Sequence, residues 1–155
     1  METISKSKPS EQPLLAISFK HKSSLVIVNS RDTGLAVNYT DGSVKESWKY
    51  AQTTKVVLSI APHDKYLLEC HENTATLRAS GGEVLVQEQF LKDITASCWI
   101  DKETWAVAAG SNITLWSTGQ KQCVTICETG SSDPVHSLSA KLSSKGRFSI
   151  AALSL

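Results

Sequence analysis

The residues through which this chain could bind a metal or attack a substrate are Cys70, Cys98, Cys123, Cys127 and the pairs His63-Asp64 and Cys70-His71. Cys123 and Cys127 fall at i and i+4 of an extended segment, so both face one side, roughly 13 Å apart at about 3.3 Å per residue. That separation is too wide for one zinc ion with bonds of about 2.3 Å, and too wide for a disulfide. Cys70 and His71 are neighbours on a strand and point to opposite faces. The four thiols are therefore expected to be reduced packing residues. His63-Asp64 lies near Ser59, but Pro62-His63-Asp64-Lys65 reads as a turn rather than part of a catalytic triad. The nucleophile elbow, the paired-histidine zinc motif and the phosphate-binding P-loop are all missing from the sequence. Ser80-Gly81-Gly82 precedes a strand, not a helix N-terminus, so it reads as a hairpin turn. The expectation is a non-enzyme with no catalytic residue, metal or cofactor.

Trp99, Trp105 and Trp116 are the next candidates. Their rings could form an aromatic cage for a methylated ammonium if they converged at an exposed end. On adjacent strands of one unit they read instead as structural anchors, each contributing burial and one indole hydrogen bond. Arg78 stands where Trp116 stands one unit later, and its charged end is expected to reach solvent.

The elements that carry these residues are short strands separated by turns. From Ile94 to Cys127 four segments follow one another: Ile94–Ile100, Trp105–Ala109, Ile113–Ser117 and Lys121–Cys127. The same order precedes them twice, and a fourth unit begins after Cys127. The units cover about residues 14–50, 56–90, 94–127 and 135–155, and residues 1–13 read as a flexible tail. Third-strand residues Val37, Leu77 and Leu115 recur at about 40 residues, as do second-strand residues Val26, Leu67 and Ala106. Asn38 and Arg78 fall at the place of Trp116. Gly42, Gly82 and Gly119 close the third turn of their units.

A four-stranded meander with this period is the pattern of a β-propeller blade. The units also resemble degenerate WD40 repeats. ITLWS at Ile113–Ser117 is similar to the family's strand ending in Trp-Asp. IAPHDKYLL at Ile60–Leu68 and KGRF at Lys145–Phe148 are similar to its turn before the second strand. The Gly-His pair is missing, and Trp116 is followed by Ser117, so the family's His–Ser/Thr–Trp–Asp network is expected to be absent or partial. The fold expected is all-β, about three and a half WD40-like blades, an incomplete propeller; a β-sandwich or small barrel is the alternative. An arc of blades leaves an apolar face and a strand edge bare. The expectation is that missing sequence or another chain completes it, the chain being a fragment of a longer protein.

Composition narrows the partners. The 155 residues are 41% hydrophobic and carry a net charge of +1, so no strong field draws nucleic acid or anionic membrane. No apolar run approaches the roughly 20 residues of a membrane span, and the first residues lack the apolar core of a signal peptide. An intracellular site, nuclear, nucleolar or cytoplasmic, follows. Asn38-Tyr39-Thr40 and Asn112-Ile113-Thr114 match the glycosylation triplet by chance on that reading. The resemblance implies a non-catalytic scaffold, a WD-repeat subunit of a larger complex held by protein–protein contacts. The degenerate repeats are also similar to those of nucleolar propellers in ribosome biogenesis (pre-rRNA processing), which implies weak RNA contact as an alternative. An enzyme domain with an unrecognised site is the second alternative. Candidate partner-binding loops hold Lys20, His21 and Lys22; His63, Asp64 and Lys65; Asp101, Lys102 and Glu103; and Lys141 and Lys145. They recur between the first and second strands of their units, where rigid strands can present variable turns.

Overall fold

The computed structural model describes residues 12–119, 123–130 and 132–154. The tail up to residue 11 lies outside the described residues, as do the side chains of Cys123 and Cys127. Among the described residues there are strands and turns but no helix.

The strands form successive antiparallel meanders. The first blade is β1 (Ala16–Phe19), β2 (Leu25–Asn29), β3 (Thr33–Asn38) and β4 (Val44–Lys49). The second is β5 (Val56–Ile60), β6 (Tyr66–His71), β7 (Thr74–Ala79) and β8 (Val84–Gln89). The third is β9 (Ile94–Trp99), β10 (Thr104–Ala109), β11 (Asn112–Ser117) and β12 (Cys123–Glu128). A two-stranded fourth unit follows, β13 (Val135–Leu142) with β14 (Phe148–Ser154). Turn chemistry sets these hairpins: Gly42 (φ 73°) and Gly82 (φ 84°) occupy the left-handed region that glycine enters without a Cβ penalty. Gly119 does not adopt a positive φ.

First strands pack side by side along the chain, β1 on β5, β5 on β9 and β9 on β13. Each junction between blades buries its own apolar cluster. Ile27, Ala36 and Trp48 meet Ile60 and Leu67 at the first. Leu68, Cys70 and Ala75 meet Trp105, Val107 and Trp116 at the second. Ala106, Ala108 and Leu115 meet Val135 and Leu138 at the third. The architecture is thus an arc of about three and a half blades, an incomplete propeller rather than a sandwich or barrel. In the first blade Ile17, Phe19 and Val44 are exposed.

One register reading is corrected. In every blade the third–fourth pairing shifts at one place, between Ala36 and Val37, between Leu77 and Arg78, and between Leu115 and Trp116. Anchored on that bulge, Val37 rather than Asn38 corresponds to Arg78 and Trp116. Their second-strand partners are Val26, Leu67 and Trp105, so Trp105 and not Ala106 is the third member. The middle strands are covered on both faces, so apolar residues fill both parities and alternation cannot fix the register.

Candidate functional site

The four turns that join first to second strands are equivalent in the topology, so they share one rim. They are not independent. Asp64, at φ 63°, receives the backbone N–H of His21 and of Lys22, each at 2.8 Å. His21 Nε2 also lies 3.3 Å from the Ile60 carbonyl. Asp64 thereby fixes the first loop on the second, while His21 and Lys22 remain exposed. His63 lies against the Tyr66 ring, 5.7 Å between centroids, and its Nδ1 receives the Lys65 N–H at 3.3 Å. In the third loop Asp101 caps its own turn, accepting from Glu103 N at 2.8 Å and Thr104 N at 2.7 Å. Lys102 and Glu103 project outward. Lys145 is exposed on the fourth loop. Lys141 stands on β13, paired with Ser149, rather than in that loop.

The three tryptophans of the third blade lie in packing contacts and form no open cage. Trp105 and Trp116, 2% and 8% exposed, stack at 5.5 Å with planes 9° apart. Trp99 stacks on Tyr66 at 6.1 Å and donates its indole N–H to the Ser59 carbonyl at 3.0 Å, linking third blade to second. The thiols are shielded as well. Cys70 is buried, and burial together with the Glu69 charge raises its pKa. Burial pushes Cys98 up to about 11. Among the described residues no group of three or more His, Cys, Asp or Glu could hold a metal ion.

The feature that the sequence reading missed is a buried polar cluster between the first two blades. Glu69 is fully buried on β6. One carboxylate oxygen accepts from Asn29 Nδ2 at 2.7 Å and Trp48 Nε1 at 2.8 Å. The other accepts from Arg78 Nε at 2.9 Å. His71 Nε2 lies 3.1 Å from that second oxygen, off the line of a good hydrogen bond. Arg78 also donates through Nη1 to the Gly82 carbonyl at 2.9 Å, and its guanidinium sits 5.6 Å over the Trp48 ring. Arg78 is 5% exposed, so the expectation that its charged end reaches solvent is overturned. A carboxylate that must be desolvated draws the guanidinium inward, because either charge left alone would cost several kcal/mol. Burial by itself would raise the Glu69 pKa. The His71 contact, the Arg78 charge and the Trp48 donor outweigh it and hold the carboxyl below its usual value. Tyr50 completes the cluster. It accepts from Asn29 Nδ2 at 3.0 Å, and its single O–H is shared between the Ser30 carbonyl at 2.6 Å and the Thr33 carbonyl at 2.9 Å. Burial is the main cause of its pKa reaching about 12.

Glycine makes room for this arrangement. A Cβ on Gly34 would meet the Trp48 indole at 2.2 Å, and one on Gly82 would meet the same ring at 2.9 Å. The readable signal was Gly34 and Gly82 together with Asn29, Trp48, Glu69 and Arg78. No single motif joined them.

Each of the first two junctions opens outward into a crevice. The first, about 210 Å³, is walled by Tyr50, Thr53, His71, Thr76, Arg78 and Gln87. The second, about 350 Å³, is walled by Phe90, Leu91, Lys92, Asn112, Thr114 and Trp116. The bulge register makes Arg78 and Trp116 equivalent, so the same place is polar in one crevice and aromatic in the next.

No family model matches the sequence, and no curated protein matches it. Among solved structures, that of U3-55K superposes with a TM-score of 0.75 at 10% identity. The match covers 84% of this chain and 43% of that one, so the chain spans less than half of that structure. At this identity the likeness is one of fold, a WD40-like propeller.

Proposed function

We propose that the chain is a non-catalytic protein–protein interaction scaffold, a WD-repeat-like part of a larger intracellular complex, nuclear, nucleolar or cytoplasmic. The carrying observation is the rim. Asp64 binds the His21–Lys22 backbone, which holds two neighbouring loops in fixed relation while the side chains of Lys22 and Lys65 stay exposed to a partner. Presentation of variable turns on rigid strands suits recognition. The buried Glu69–Arg78 pair is read as structural, because it is closed inside a blade junction.

The test is purification of the tagged full chain with its partners, beside a variant carrying His21→Glu, Lys22→Glu, Lys102→Glu and Lys145→Glu. The scaffold reading expects a defined set of proteins in stoichiometric amounts, lost from the rim variant. A chain that purifies alone from cross-linked cells would overturn it. A second reading, a ribosome-biogenesis propeller subunit in weak contact with RNA, is favoured by the fold likeness to U3-55K at the level of architecture. Ribonuclease treatment separates the two: protein partners survive it under the first reading and are released under the second.

A further inference from the structure

The second crevice has four features that bear on a ligand. Its largest walls are two aromatic rings, Phe90 and Trp116, in an edge-to-face pair at 5.9 Å. Its lip carries Leu91, at 104% relative exposure the most exposed large apolar side chain described. An apolar residue left in water beside an apolar hollow marks a contact surface. The wall residue Trp116 is nine-tenths buried, yet among the described residues its indole N–H has no acceptor, and neither has that of its stacked neighbour Trp105. Buried indole donors usually find one. Finally, Lys92 is the one charged residue of the lining among the described residues. Its stem lies over Gly110, where a Cβ would meet it at 2.7 Å, and it forms no ion pair among the described residues.

We infer that the hollow between Phe90, Leu91 and Trp116 is a docking socket for an extended segment of a partner protein, which inserts one aromatic or leucine-sized side chain and lays an acidic residue beside Lys92. The volume, about 350 Å³, suits a side chain with its flanking backbone and not a folded sheet. The single cation selects an acidic neighbour, and charge complementarity of this kind governs partner choice more than affinity. The equivalent first crevice does not offer this chemistry: there Arg78 and His71 replace the aromatic wall, and Tyr50 turns inward to bond backbone carbonyls. The socket rests on the scaffold reading and gives it a partner class.

The test uses an array of synthetic peptides Ser-Asp-X-Asp-Ser, with X run through the amino acids, against the same array carrying Lys for Asp. The full chain is compared with Leu91→Asp and Lys92→Glu, both on an exposed linker where folding is not at stake. Binding is expected for X as Phe, Trp, Tyr, Leu or Met, at least about tenfold tighter in the Asp array. Leu91→Asp should abolish it, and Lys92→Glu should reverse the preference between arrays. No dependence on X, or equal binding by both variants, would overturn the socket. So would a concentration-dependent dimer removed by Leu91→Asp, since the occupant would then be a second copy. Native partners that co-purify undiminished with a chain carrying both Leu91→Asp and Lys92→Glu would overturn the socket and leave the scaffold reading standing.

Discussion

Glu69 Oε1 and Arg78 Nε lie 2.9 Å apart on neighbouring strands of the second blade, with both side chains closed from solvent. Breaking such a pair leaves a buried charge without compensation, which costs about 3–5 kcal/mol. Arg78→Ala should therefore destabilise the chain by about that much, where a surface arginine would cost under about 1 kcal/mol. Urea titration of the two proteins measures it, and a small loss would mean that water reaches the carboxylate.

The same carboxylate sets a pH dependence. Its folded pKa is depressed below the unfolded value of about 4.3, so its stabilisation is full above that value. It is lost as pH falls through the folded pKa. Asp41 is also lowered, by its hydrogen bonds from Ser43, and adds a pH dependence of its own. The informative quantity is thus the difference between wild type and Glu69→Gln in unfolding free energy from neutral pH to acid. That gap should narrow on acidification; a gap constant with pH would mean Glu69 is protonated throughout.

Gly34→Ala should cost about 1–3 kcal/mol, because the new methyl must displace the Trp48 ring from its place over the backbone. The shift should also break the Trp48–Glu69 bond, visible as a moved indole N–H resonance. A neutral substitution would show that the ring has room to move.

Trp116→Ala should cost about 3–5 kcal/mol, since it removes a buried ring stacked on Trp105 and edge-on to Phe90. Denaturant unfolding checks this. A loss below about 1 kcal/mol would place the ring at the surface.

The thiol of Cys70 should resist alkylation in the native chain at neutral pH, because burial suppresses the reactive thiolate. Cys98, partly buried with a pKa near 11, should react slowly. Pulsed iodoacetamide followed by mass spectrometry distinguishes them, and fast labelling of Cys70 would indicate that the second junction opens.

The strand succession was legible because turns punctuate it: Asp41-Gly42 and Gly81-Gly82 fall where hairpins must bend. The rim loops were legible for the same reason. The place of Asn38 was not, because a strand covered on both faces gives no parity to read. The two crevices were also hidden, since each is made by a linker between blades and strands that follow it some 17 to 37 positions later, which meet only when the chain folds.

The amino-acid sequence by itself determined the local order of this protein. Short β-rich runs and glycine turns, repeating at a blade's period, leave few other ways to satisfy the backbone. Only the tertiary structure decided what the polar residues do. Glu69 and Arg78 look like solvent-facing residues of an alternating strand until the first blade covers that face. Once water is excluded, the carboxylate must collect donors from Asn29, Trp48 and Arg78, and the surrounding glycines must yield space. Desolvation is a property of the packed junction, and no residue carries it alone.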